Sequence, residues 1–290
     1  MDIEPVHIAD RLVGPGQPCY VIAEIGINHN GDVGLARKLI SAALLAECDA
    51  VKLQKRTVDV VYTEDELARL RESPFGDTNG DLKRGLELDE DGYATIDAYA
   101  GEHGIAWFAS CWDEASVDYI EQFDPPCYKI ASALLTDDAL LRHHRAYARP
   151  IILSTGMSTI EEIDHAVEVL GTADLVILHC TSTYPSAPEE LNLNAVHTLA
   201  ERYKVPIGYS GHEVGLSTSL AAAALGACIV ERHITLDRSM WGSDQAASVE
   251  PHGIARLVRD IHTTEAALGD GRKVVYESER PIREKLRRVS

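Results

Sequence analysis

The sequence predicts an α/β fold, a (β/α)₈ TIM barrel, from three observations. Short, almost wholly apolar runs recur eight times along the 290 residues. Segments with helical periodicity lie between them, and the runs end in polar residues. In order the runs are YVIAEIG (20–26), AVKLQ (50–54), IAWFAS (105–110), CYKIAS (127–132), PIILST (150–155), LVILHC (175–180), PIGYSG (206–211) and CIVERHI (228–234). Continuous rather than alternating hydrophobicity marks a strand covered on both faces, and parallel strands need a crossover, usually helical, between them. Helices are legible in DVGLARKLISAALLA, TIEEIDHAVEVLG and GLSTSLAAAALGA, the last two closing on a glycine or small-residue stop. Eight such units close into a barrel. An open doubly wound sheet is the competing topology.

The domain boundaries follow from what flanks these units. Residues 1–18 read as a short hairpin or N-terminal cap, 19–270 as the barrel, and 271–290 as a polar, arginine-rich tail or the start of a linker. The interval 57–90 after the second strand is too long for an ordinary loop and reads as an insertion over the mouth of the barrel.

Composition narrows the partners. Asp and Glu number 46 against 27 Lys and Arg, a formal charge of −19. That balance disfavours nucleic acid and anionic membranes, which reward clustered cations, while an anionic small substrate requires only a local basic pocket. No apolar run reaches the length of a membrane span, and MDIEPVHIAD is not a basic-then-apolar leader. A cytoplasmic location is therefore expected. The six cysteines lack CxxC spacing and sit mostly in apolar segments, which suits reduced core thiols.

In a barrel of this type the chemistry gathers where strands run out into the following loops. Those positions carry Glu24 with Asn28 and His29, Lys52 with Gln54, Ser110, Lys129 with Ser132, Ser154 with Thr155, His179 with Thr181, Ser182 and Tyr184, Ser210 with His212, and Glu231 with His233. Lys52 and Lys129 lie inside apolar strands, where an ammonium needs a partner. Either one alone suits a structural ion pair. Together with the hydroxyls of Ser132, Ser154, Ser182 and Ser210 they suit a ligand bearing phosphate and carboxylate. STGMST adds a glycine turn before a helix whose N-terminal amides favour an anion. His212 and His233 end neighbouring strands and can meet at one divalent ion, leaving coordination positions open. A lone histidine at such a place is also compatible with an ordinary hydrogen-bonding role, and Glu24 with orienting, proton-handling or ion-pairing roles.

The motifs AEIGINHNGD, KLQK, YKIAS, STGMST, HCTSTYP, GYSGHE, ERHITLD and GSDQAAS, in that order, resemble the sialic acid synthase family over roughly residues 18–290. The stretch from IGYSGHE to ERHITLD is similar to the branch that includes the animal enzymes. The resemblance implies condensation of phosphoenolpyruvate with an open-chain N-acetylmannosamine-type sugar, or its 6-phosphate, in a homodimer. It implies that His212 and His233 hold a divalent metal, Mn²⁺ or Mg²⁺. Lys52, Lys129, Ser132, Ser154, Ser182 and Ser210 would bind phosphoenolpyruvate; Gln54, Tyr184 and Asp244 would contact the sugar; Glu24 would stand near the reacting carbons. Ser182 replaces a frequent Asn, and Gly211 a common Asp. The chain stops at REKLRRVS, where the linker to the family's small antifreeze-like domain would begin. An excised barrel, a natural short form or a domain supplied by another chain would each account for this. Without that domain's arginine, non-acylated sugars are expected to compete well with N-acetylated ones. A synthase for arabinose 5-phosphate or erythrose 4-phosphate is the rival within the class, disfavoured by GYSGHE and GSDQAAS. A catalytically silent sugar-acid- or protein-binding barrel is the rival outside it, disfavoured by the complete polar set.

Overall fold

The computed structural model describes residues 3–289. Among these, twelve strands run in chain order: β1 (Val6–Ile8), β2 (Arg11–Val13), β3 (Tyr20–Gly26), β4 (Ala50–Lys55), β5 (Leu70–Ser73), β6 (Gly76–Thr78), β7 (Ala106–Cys111), β8 (Tyr128–Ile130), β9 (Ile151–Ser154), β10 (Leu175–Cys180), β11 (Ile207–Gly211) and β12 (Ile229–His233). Eight of them close into a parallel barrel in the order β3, β4, β7, β8, β9, β10, β11, β12 and back to β3. Each of the eight apolar runs supplies one barrel strand, so the closed alternative is the one realised.

Period-two alternation sorts each strand into two faces. Outward residues such as Val21, Ala23, Val51, Leu53, Ile177 and Val230 pack under the helices in the main core. Inward residues Tyr20, Ile22, Ala50, Phe108, Ile152, Val176, Leu178 and Ile229 form a second apolar cluster, and Val6, Ile8 and Val13 of the β1–β2 hairpin join it. The hairpin thus plugs the end of the barrel at which the strands begin. Arg11 of β2 pairs with Asp49, whose other oxygen accepts from the Val21 amide at 2.7 Å, fixing the plug to the wall.

The helices start on side-chain caps. Asp32 accepts from the Gly34 amide at 2.6 Å ahead of helix 33–45, and Thr159 and Glu162 cap each other's amides ahead of helix 160–170. Helix 160–170 ends on Gly171 at φ 70°, where a side chain would be strained.

The insertion folds as helices 58–61, 64–68 and 79–86 around the β5–β6 hairpin. It packs on the loops that follow β3 and β12 at the mouth end, where Arg71, Leu82 and Leu86 face Ile27, Asn30 and Trp241. Arg56 Nε donates to Glu87 at 2.7 Å and ties its two ends together, while Phe75 packs edge-on against Trp241 with ring centroids 6.0 Å apart. These anchors hold it beside the mouth, and none of its residues lines the central cavity. The last long helix, 251–268, ends at Gly269, and every residue from there to Val289 is exposed, including the short helix 280–286. All six cysteines are free and buried. Among the described residues no helix is long and apolar enough to cross a membrane.

Candidate active site

The strands' carboxyl ends enclose a cavity of about 240 Å³. Of the residues singled out by sequence, Glu24, Lys52, Gln54, Lys129, Ser132, Ser154, Ser182, Tyr184, Ser210, His212 and His233 all line it. Asp244 stands just behind, its Oδ2 3.8 Å from His233 Nδ1. Ser110, Cys180 and Glu231 share the lining. Asn28, His29 and His179 do not line it. Asn28 Nδ2 donates to the Ile234 carbonyl and to Ser248 Oγ, both at 2.8 Å. The His29 Nδ1 accepts from the Gly31 amide at 3.1 Å, and His179 Nε2 donates to the Leu191 carbonyl at 2.6 Å. These three shape loops.

Glu231 is the hub that strand-by-strand reading left without a role. Lys52 Nζ and Lys129 Nζ each lie 3.7 Å from its Oε1, and Ser210 Oγ donates to the same oxygen at 3.2 Å. Lys52 Nζ also sits 2.9 Å from Glu24 Oε2 and donates to Ser110 Oγ at 3.1 Å. Gln54 Nε2 donates to Glu24 Oε1 at 3.4 Å. One signal for Glu231 was available: it alternates with His233 on β12, so the two must share the inner face.

Burial and charge drive the two carboxyls in opposite directions. Desolvation pushes Glu24 up to about 7; Lys52 opposes this and Glu231 adds to it. Desolvation would raise Glu231 too, but Lys129 and Lys52 outweigh it and hold it down at about 2. Burial lowers Lys129, whereas for Lys52 the flanking Glu231 and Glu24 overcome burial and raise it. Carboxyls pulled this far apart divide proton-handling from charge-holding. Against burial, the neighbouring His212 and Lys129 lower the Cys180 thiol.

Several buried atoms here have no hydrogen-bond partner among the described residues: Ser154 Oγ, Glu231 Oε2 and His233 Nδ1. Orphaned polar atoms are costly when buried and point to a bound group. At the turn after β9 the Gly156 amide donates to Ser132 Oγ at 2.9 Å, and a Cβ at 156 would collide with Ser182 Oγ, so glycine lets these hydroxyls converge. The helix expected after STGMST follows at 160–170. Its capping box takes the Thr159 and Glu162 amides and sets the Glu162 carboxylate at that end, where it competes with an outside anion.

The histidines meet as predicted from their strands, with ring centroids 5.3 Å apart and Tyr184 stacked 4.1 Å from His212. His212 Nδ1 donates to the Thr181 carbonyl at 2.8 Å, which fixes the tautomer and leaves Nε2 as a lone-pair donor. Among the described residues no group of three or more His, Cys, Asp or Glu could hold a metal. Two imidazoles, one oriented by a carbonyl and one with an orphaned nitrogen, still suit a divalent ion that takes its other donors from substrate and water.

Barrels of this architecture carry chemistry at this end, and the separated carboxyls, lysines and hydroxyls gathered there are the groups of an enzyme. Residues 39–273 match the NeuB family, and the chain belongs to it. It is 37% identical over 291 residues to the N-acetylneuraminate-9-phosphate synthase of Mus musculus, covering 99% of this chain and 81% of that protein. It is 35% identical over 285 residues to the N,N'-diacetyllegionaminic acid synthase of Legionella pneumophila, covering 95% of this chain and 80% of the relative. The crystal structure of an N-acetylneuraminic acid synthetase from Leptospira borgpetersenii superposes with a TM-score of 0.86 at 29% identity, over 99% of this chain and 98% of that one.

Proposed function

We propose that the chain condenses phosphoenolpyruvate with an open-chain N-acetylmannosamine-type sugar, or its 6-phosphate, to give a sialic-acid-like 2-keto-3-deoxy sugar acid and inorganic phosphate. The observation that carries this reading is the paired-lysine, paired-carboxylate network beside the unpartnered Ser154 hydroxyl. Lys52 and Lys129, with Ser132, Ser154, Ser182 and Ser210, hold the phosphate and carboxylate of phosphoenolpyruvate. Gln54, Tyr184 and Asp244 take the hydroxyls of the sugar. A divalent ion, manganese or magnesium, held by His212 and His233 would withdraw electron density from the aldehyde oxygen.

The methylene carbon of phosphoenolpyruvate then forms the new carbon–carbon bond, and water adds at the carbon bearing the phosphate. Glu24, with a pKa pushed up to about 7, accepts the proton of that water and returns it to the former aldehyde oxygen, whose C=O π bond opens as the carbon–carbon bond forms. The tetrahedral intermediate loses phosphate by breaking its carbon–oxygen bond, leaving the keto acid. Glu231 stays ionised throughout and keeps both ammonium groups in place. Most of the acceleration comes from holding two reactants in attack geometry. Phosphate release from phosphoenolpyruvate, measured against a panel of aldoses with and without added Mn²⁺ or Mg²⁺, tests the proposal. Aldose-dependent release is expected; no release with any aldose and metal overturns it.

A further inference from the structure

The residues that flank the two histidines form a second buried charge pair on the other side of the barrel wall. Glu213 follows His212 and Arg232 precedes His233, and they are 2% and 1% exposed. Because faces alternate along β12, Glu231 and His233 look inward while Arg232 looks outward, toward helix 217–224. Its Nη1 donates to Glu213 Oε1 at 3.0 Å, Ser219 Oγ at 2.8 Å and the Gly215 carbonyl at 2.9 Å, and its Nη2 donates to the Glu213 carbonyl at 2.6 Å. The Glu213 carboxylate also accepts from Tyr209, Thr218 and Ser219 hydroxyls, each at 2.8 Å.

Gly211 makes this possible, since a Cβ there would lie 2.6 Å from Glu213 Oε2. One guanidinium thus grips both the carboxylate and the backbone of the loop that carries His212, while its own backbone carries the neighbour of His233. A buried ion pair adds little net stability over apolar side chains of similar volume. What it does fix is distance and direction between the two segments it joins.

We infer that Arg232 and Glu213 are positioning residues, clasping β11 and β12 from outside so that His212 and His233 keep the spacing and orientation needed for one divalent ion. The inference rests on the reading of those histidines as the ion's protein donors.

Manganese(II) binding to the metal-depleted full chain, followed by electron paramagnetic resonance, tests it. R232M and E213A are expected to bind about 10- to 100-fold more weakly than the wild type, the usual scale when a group that orients a ligand is lost. R149M breaks a different ion pair, with Glu121 ahead of β9, and is expected to cost stability but leave manganese affinity unchanged. A single variant that strands one buried charge can fail to fold, so E213Q/R232M, which carries neither charge, is measured too, with folding checked by circular dichroism. Wild-type affinity in the folded double variant overturns the inference. If the wild type binds no manganese, the ion reading falls instead, and the imidazole ¹H–¹⁵N spectrum of the metal-free chain decides the clasp. Displaced His212 and His233 resonances in the double variant then support it, and unmoved ones overturn it.

Discussion

The two ends of the barrel interior lie on the same strands and are buried to nearly the same degree, yet they are built on opposite rules. Toward the strand starts, Tyr20, Ile22, Phe108, Ile152 and Ile229 close over the β1–β2 hairpin as a dry plug. One inward position further along, the same strands present Glu24, Ser110, Ser154 and Glu231. Ile229 is 0% exposed and Glu231 3%, so burial alone does not separate the ends. Satisfaction does. Apart from the Tyr20 hydroxyl, which has no partner, the dry end is apolar and needs none, while Ser154 Oγ, Glu231 Oε2 and His233 Nδ1 gather at the mouth without one. An end that is complete by itself contributes stability, and an end that is complete only with a ligand contributes chemistry.

The sharpest way to break this contrast is at the histidines. H212A or H233A is expected to reduce turnover by more than about 100-fold with little change in the melting temperature, because mouth-facing polar groups add little to the core. Steady-state kinetics alongside calorimetric melting checks both halves, and near-normal turnover in both variants would remove the histidines from the chemistry. At the other end F108A is expected to do the reverse, lowering stability by about 3–5 kcal/mol while leaving the KM for phosphoenolpyruvate unaltered at temperatures where the variant is folded. A KM change there would mean that the plug and the mouth are coupled.

Between these extremes, K129A is expected to weaken phosphoenolpyruvate binding by on the order of 2 kcal/mol, read by calorimetry, with a smaller effect on the sugar. The smallest effect sharpens the contrast most. Glu24 titrates in the fold near 7 against an ordinary value of 4.5, so the folded chain binds more protons than the unfolded chain between those limits. Its contribution to stability is fully present below about pH 4.5 and is lost as pH rises through 7. E24Q, which cannot ionise, is expected to flatten that slope and to gain about 1–2 kcal/mol relative to wild type at pH 8, while losing turnover. Denaturant unfolding at pH 5 and pH 8 measures it; equal slopes for the two chains would show that Glu24 is not strained by its burial.

The barrel was legible because strands covered on both faces cannot hide their apolar runs, and each of the eight runs landed on a strand. The polar residues at the strand ends were legible for the complementary reason: a lysine such as Lys52 inside AVKLQ has no local explanation. Glu231 was seen but given no task, since its partners Lys52 and Lys129 come from strands on other sides of the barrel, and only closure brings the three together. The insertion was found by its length, but its anchor, Phe75 on Trp241, is a contact between distant parts of the chain that no local pattern announces. The capping box of Thr159 and Glu162 at the start of the helix after STGMST was legible as well, three residues apart in the sequence.

The alternation Glu231, Arg232, His233 also bears on how the barrel finds its final form. β12 is the last barrel strand in the chain and seals the ring against β3, with Glu231 opposite Ile22 and His233 opposite Glu24. A slip of one residue at that seam would turn the Arg232 guanidinium into the cavity beside two ammonium groups and push Glu231 and His233 into the apolar layer beneath the helices. Such a slip would part Glu231 from Lys52 and Lys129, and Arg232 from Glu213. The charges on the closing strand therefore favour the correct register over its one-residue slip, because only that register pairs all of them.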